Sequence, residues 1–265
     1  MGGGGFSTTA SDYALDDYVL GLVARREPRI CLLPTAGGDA QDQIVRFHAA
    51  FDDRPCVPSH ISLFRLGQKP VALREHLLAQ DVVYVGGGSM LNMLAIWRAH
   101  GLDEIMREAW EAGVVLCGLS AGSMCWFEGG ITSSTGHLAP APGLGLLRGS
   151  NCVHYHDEPA RRPAFLSAIR AGALPAGYGV DDGVGLVFDG EELVDVVSCR
   201  RTAGAVRVRR QDEDEIAETP LPLRRLPTGP RPAVTARTEL TDVNRLRRHR
   251  PATARLGHRR AGIRD

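Results

Sequence analysis

Lysine is almost missing from this 265-residue chain: Lys69 stands alone among 31 basic residues, an imbalance that codon usage explains as readily as chemistry. Net charge is missing too, with 31 acidic residues balancing the 31 basic ones, but the balance is uneven. Residues 228–265 hold ten arginines against Glu239, Asp242 and Asp265, which leaves residues 1–227 acidic by seven charges. A mildly acidic body argues against nucleic acid as a partner of the folded part. No apolar run approaches the roughly 20 residues of a membrane span, so no membrane association is expected. No C-x-x-C pair occurs among Cys31, Cys56, Cys117, Cys125, Cys152 and Cys199, and no secretory leader opens the chain. The start Met-Gly-Gly-Gly-Gly-Phe misses the myristoylation pattern, because Phe6 sits where Ser or Thr is wanted. These absences describe a reduced, cytoplasmic protein with no cofactor.

What is present is an α/β pattern. The length and a 43% hydrophobic content suit one sizeable domain, read as residues 1–227, followed by a disordered basic tail at 228–265. Helical spacing runs over 12–24, with Ser11 as a candidate cap, and again after Asp39, which could cap the next helix. Strands are expected at 29–33, 60–66, 81–85 and 114–118, with helices at 71–78, 90–100 and 102–112. Apolar strands alternating with helices mean a mostly parallel sheet covered on both faces. Short strands near 131–135 and 151–155, a helix over 160–171, and strands at 184–188, 193–199 and 205–210 follow; the last three read as a meander closing the sheet. Three strands end in Gly-rich turns, at 34–38, 86–89 and 118–122, which would collect on one rim, where sheets of this kind carry their active sites.

The sharpest signal is Val114-Val115-Leu116-Cys117-Gly118-Leu119-Ser120-Ala121-Gly122-Ser123, an apolar strand passing through G-x-S-x-G into the helix-competent segment 123–128. A Cβ at Gly118 or Gly122 would crowd the neighbouring backbone, and a serine on such a turn stands out over the sheet. Ser120 is therefore the candidate nucleophile, and it needs a base. Of nine histidines, His48, His76 and His100 sit on or at the ends of helices, and His249 and His258 lie in the tail. His60, His137, His154 and His156 remain, of which His154 is the best placed, at the end of a short apolar strand 34 residues after Ser120. His156 is expected to be separated from it by role or by a turn. A metal site built on His154-x-His156-Asp157-Glu158 lacks a convincing third ligand, so no metal is expected. The glycine loop 86–88 would offer backbone N–H groups that, with the N–H of Ala121, form an oxyanion hole.

At Val85-Gly86-Gly87-Gly88-Ser89, Gly118-Leu119-Ser120-Ala121-Gly122 and Val153-His154-Tyr155 the sequence resembles the peptidase E family, serine peptidases of the aspartyl dipeptidase and cyanophycinase group. Pro34-Thr35-Ala36 and the Gly-rich segment before Phe6 are similar as well, and the likeness runs over residues 2–226. It implies a flavodoxin-like three-layer sandwich related to class I glutamine amidotransferases. The implied activity is an exopeptidase acting on small peptides, dipeptides with an N-terminal Asp above all, or on related β-aspartyl bonds. Carried over by motif, Ser120 is the nucleophile, His154 the general base, and Gly87, Gly88 and Ala121 hold the oxyanion. A family arginine beyond the histidine binds the substrate Asp; Arg161 and Arg162 lie in a similar place, after a shorter loop.

Three departures matter. The segment similar to the one carrying the family's acid, Thr132-Ser133-Ser134-Thr135, has no carboxylate. Asp182, placed where cyanophycinase-like members carry a Glu, is the choice for third triad member, ahead of Asp181 and Glu128. The family's glycine run follows a first strand, so a strand is expected ahead of Gly2, with a start codon set too late favoured over a lost core strand. The Arg-rich tail has no family counterpart. Competing readings are a degenerate, non-catalytic member with a binding role and an esterase-like α/β-hydrolase. The latter puts its histidine after the acid and far toward the C-terminus. Monomer and homodimer both remain open.

Overall fold

The computed structural model describes residues 1–7, 13–212 and 215–227. The basic tail and the candidate cap Ser11 fall outside the described residues. The first half alternates as the pattern requires: α1 (Ala14–Gly21), β1 (Arg29–Leu33), α2 (Gln41–Phe51), β2 (Val57–His60), α3 (Leu73–Leu78), β3 (Val82–Val85), α4 (Met90–Ala99), α5 (Leu102–Glu111) and β4 (Val115–Gly118). The second half is strand-rich: one helical turn α6 (Ala121–Met124), then β5 (Phe127–Thr132), β6 (Ala139–Pro142), β7 (Leu147–Val153), α7 (Arg161–Arg170), β8 (Gly177–Val180), β9 (Val184–Asp189), β10 (Glu192–Ser198), β11 (Ala205–Arg210), β12 (Ile216–Pro220) and β13 (Arg224–Arg225).

Strands β2-β1-β3-β4 form a fully parallel sheet, and β12-β11-β8-β7-β5-β6 form a second, mixed sheet. The two central strands β1 and β3 are apolar from Ile30 to Leu33 and from Val82 to Val85 because both of their faces are covered. Ile30, Leu32, Val82 and Tyr84 point to one side, packing with Ile44, Phe47 and Phe6. Their neighbours Cys31, Leu33, Val83 and Val85 point to the other, against Leu94, Trp97, Leu102 and Met106. The first face is aromatic: Phe6 sits edge-on to Phe47 and to Tyr84, with ring centroids 5.4 and 5.1 Å away. Such pairing adds about 0.5–1.5 kcal/mol beyond burial.

Several expectations change. The strand expected at 60–66 lies earlier, at β2, and Leu63–Arg65 is a 3-10 turn. Pro58 is tolerated there because β2 is an edge strand, which can spare an N–H. Asp39 does not cap α2; its carboxylate accepts the Ser62 hydroxyl at 2.6 Å and the Phe64 N–H at 3.0 Å, tying down the loop after β2. The segment 123–128 is not a helix beyond α6 but runs directly into β5. The three strands expected to form one meander exist, but they divide between sheets. β9 and β10 pair as a hairpin, while β11 returns to lie antiparallel to β8. Alternation defines a strand from its own residues; its neighbour is chosen by which sheet edge is free.

Candidate active site

Ser120 stands at the end of β4 in a backbone conformation that L-residues seldom adopt, φ 54° and ψ −117°. The turn is possible only with glycine on either side. A Cβ on Gly118 would lie 2.2 Å from the Gly122 carbonyl oxygen, and one on Gly122 would lie 2.3 Å from that of Val85. Strain of this type costs on the order of 1–3 kcal/mol and persists where the surroundings over-determine it. The Ser120 N–H is taken up by the carbonyls of Met1 and Gly2, both at 3.2 Å.

The partners of Ser120 arrive from two adjacent strands. β7 and β8 are parallel, with Val153 opposite Val180, so the residues that follow each strand leave at the same edge. His154 follows β7 directly and, with φ 55°, turns its ring back toward β4. Its Nε2 lies 3.0 Å from Ser120 Oγ, and its Nδ1 lies 2.5 Å from Asp182 Oδ1. An ionised carboxylate only accepts, so Nδ1 carries the hydrogen and Nε2 is left as acceptor for the Ser120 hydroxyl. Half-burial pushes the Asp182 carboxyl up, but the hydrogen bond and charge of His154, with Arg200 and Arg161 beyond, outweigh it and hold it below its ordinary value.

The other acids considered are committed elsewhere. Asp181 Oδ1 faces His156 Nδ1 at 2.8 Å, and Glu128 accepts the Gly149 N–H at 2.5 Å. His154 and His156 are thus divided between two neighbouring aspartates. The acid-free segment after β5 closes on α4 instead, where Ser134 Oγ accepts the Leu91 N–H at 3.3 Å. His60 pairs with the ring of His48, and His137 with the Thr135 hydroxyl.

The Gly-rich strand ends do converge. The N–H of Ser89 reaches the carbonyl of Ala36 at 2.8 Å, joining the loops after β1 and β3. A Cβ on Gly87 would stand 3.3 Å from that of Ser120, so this loop borders the serine. Among the described residues, the N–H groups of Gly87, Gly88 and Ala121 have no acceptor, which leaves them available to an oxyanion. Gln43, buried on α2, packs beneath the loop with Nε2 3.5 Å from the Gly87 carbonyl. Gly88 combines φ 141° with an Ala36 oxygen 2.1 Å from any Cβ. Gly88→Ala is expected to cost about 2 kcal/mol, roughly 4–8 °C in melting temperature. Gly67→Ala, where nothing lies within 4 Å of the added carbon, serves as the control in the same thermal melt. Equal melting temperatures for the two variants would contradict this account.

Arg161 and Arg162 are engaged. Arg161 is buried, its Nε 2.7 Å from Glu158 and its Nη1 2.8 Å from the Ile131 carbonyl. Arg162 forks onto Glu218, which also accepts the Tyr155 hydroxyl at 2.6 Å. Both guanidiniums thus carry a carboxylate of their own chain. None of the six cysteines forms a disulfide, and burial pushes the Cys31 and Cys152 thiols up to about 12, so neither competes with Ser120.

Sequence reasoning weighed Asp157 only as a metal ligand and passed over Arg200. Asp157 Oδ2 accepts the N–H of Asp182 at 2.7 Å, and its other oxygen lies 3.4 Å from Arg200 Nη1. Asp157 sits in a conspicuous run of polar residues after His154. Arg200 gives no local signal, because its partner is 43 residues away.

Residues 1–196 match the family model described as Peptidase family S51. A relative from Bacillus subtilis (strain 168), described as an uncharacterized peptidase, YgaJ, is 48% identical over 226 residues, covering 85% of this chain and 97% of its own. A solved structure of a peptidase from an acI-B1 Actinobacterium shares the fold, with a TM-score of 0.64 at 16% identity over 86% of this chain and 95% of that one.

Proposed function

The chain belongs to peptidase family S51 and is a serine peptidase, and from that premise we propose that it is an exopeptidase working through Ser120, His154 and Asp182 on small peptides. The observation that carries this is the unbroken chain of contacts from Ser120 Oγ to His154 at 3.0 Å and on to Asp182 at 2.5 Å. Ser120 Oγ attacks the scissile carbonyl carbon as its proton passes to His154 Nε2. The resulting oxyanion lies against the N–H groups of Gly87, Gly88 and Ala121. Collapse breaks the C–N bond, and the leaving amine takes the proton from His154. Water, deprotonated by the same nitrogen, then releases the acyl group from Ser120.

The favoured substrates are dipeptides with an N-terminal Asp. Arg161 is the receptor this reading requires, with the substrate carboxylate taking the place of the half-exposed Glu158. The flavodoxin-like sandwich belongs to the same reading, supported by the strand order β2-β1-β3-β4 and the Gly-rich loops at the C-terminal ends of its strands. So does a cytoplasmic location, supported by six cysteines none of which forms a disulfide. Among the described residues no helix is long and apolar enough to cross a membrane.

Labelling with a fluorophosphonate, followed by peptide mapping, tests the nucleophile; an adduct on Ser120 is expected, and a folded, unlabelled protein would overturn it. A dipeptide panel tests the substrate. Release from Asp-X at least tenfold faster than from Ala-X is expected. Equal rates would remove the acidic preference and leave the nucleophile standing.

A further inference from the structure

Two short segments meet around the acid of the proposed triad, and each holds the backbone of the other. The turn that starts at His154 closes with the Glu158 N–H on the His154 carbonyl at 3.0 Å. From this turn the His156 N–H reaches Asp181 Oδ1 at 3.1 Å, and in return the Asp182 N–H reaches Asp157 Oδ2 at 2.7 Å. Asp181 is buried and also receives His156 Nδ1 at 2.8 Å and the Gly204 N–H at 2.9 Å. Arg200 completes the frame. It pairs with the free oxygen of Asp157, and its aliphatic stem lies over Gly183, where a Cβ would stand 2.7 Å from Arg200 Cγ. On the other side lies the glycine run, where a Cβ on Gly3 would stand 2.5 Å from Asp182 Oδ1.

We infer that Asp157, steadied by Arg200, is a positioning residue that sets the Asp182 carboxylate against His154 Nδ1. This rests on the triad reading above. The physical need is clear from the two residues concerned. His154 occupies a left-handed backbone conformation at φ 55°, which a non-glycine residue keeps only under constraint. Asp182 lies in the loop between β8 and β9, with no strand partner of its own. A carboxylate accepting that one N–H removes the freedom of the peptide unit from which the Asp182 side chain springs. Asp157 touches neither Ser120 nor the His154 ring in any hydrogen bond among the described residues, so it acts through Asp182.

The test is the fluorophosphonate labelling rate of Ser120, measured across pH with the full chain. Asp157→Ala is expected to slow labelling about 10–100-fold, since a misplacement near 1 Å costs that order. Asp157→Asn keeps an oxygen for the Asp182 N–H and is expected to recover at least half of that loss on a logarithmic scale. Adding Asp157→Ala to Asp182→Asn is expected to slow labelling no further, because a residue acting through Asp182 has nothing left to position. Full additivity in that double variant, or wild-type labelling by Asp157→Ala, would overturn the inference. If Asp157→Ala fails to fold, Arg200→Met, which removes the ion pair together with a positive charge that helps hold the Asp182 carboxyl down, is expected to give a threefold to tenfold slowing, and wild-type labelling there would overturn the inference equally. Failure of the wild-type protein to label at Ser120 would instead strike the triad reading itself.

Discussion

Alanine at Ser120 is expected to lower peptide turnover about a million-fold, and alanine at His154 about as much, with the double variant no worse than either. The non-additivity follows from geometry. Ser120 Oγ and His154 Nε2 are 3.0 Å apart and exchange one proton, so neither serves without the other. Residual activity from binding and the oxyanion donors would survive both changes, since Gly87, Gly88 and Ala121 act through backbone N–H groups that the substitutions leave in place. Turnover of the best dipeptide of the panel, followed by amine release, gives the measurement. A Ser120→Ala protein within tenfold of wild type would place the nucleophile elsewhere.

Asp182→Asn is expected to cost about ten-thousandfold in turnover while leaving substrate affinity little changed. An amide can donate to Nδ1 where the carboxylate can only accept, which moves the histidine hydrogen to Nε2 and blocks the base. Asp181→Asn is the control, because Asp181 faces His156 rather than His154. A larger loss at Asp181 than at Asp182 would reverse the assignment. The change also has a pH signature. The Asp182 carboxyl is held below its ordinary value of 3.8, burial raising it and His154 with Arg200 and Arg161 lowering it further. Its contribution to stability is therefore fully present above that value and disappears as pH falls through the lower folded one. The stability difference between wild type and Asp182→Asn, from urea melts, should be constant near neutrality and shrink as pH drops below about 4. A difference that grows on acidification would contradict the sign.

Much of the site is legible in the chain itself because its signals are local. G-x-S-x-G at the end of an apolar strand describes a turn in which a Cβ on Gly118 would stand 2.2 Å from the carbonyl oxygen of Gly122, four residues on, although the need for glycine at 122 itself comes from Val85 on the adjacent strand. His154 is legible for the same kind of reason, as the first polar residue after a short strand. Asp182 is different. Only a likeness to one branch of a family points to it, and Asp181, its neighbour in sequence, satisfies composition equally well. Which of the two faces His154 depends on a turn at residues 154–158 that sends His156 to one aspartate and His154 to the other. The arginines stand out beyond the histidine as well, but their partners do not: Arg161 pairs with Glu158, and Arg162 with Glu218, from a strand 56 residues away.

Periodicity and glycine spacing, both properties of neighbouring residues, determined the parallel strands, the three Gly-rich loops and the serine turn. Strand neighbours, the split of β9 to β12 between sheets, and the pairing of acids with histidines were decided only by the tertiary structure. Apart from local pairs such as the β9–β10 hairpin, each of these is a contact between segments far apart in the chain, chosen by which edge or donor remains unfilled, and residues near in sequence carry no record of that choice.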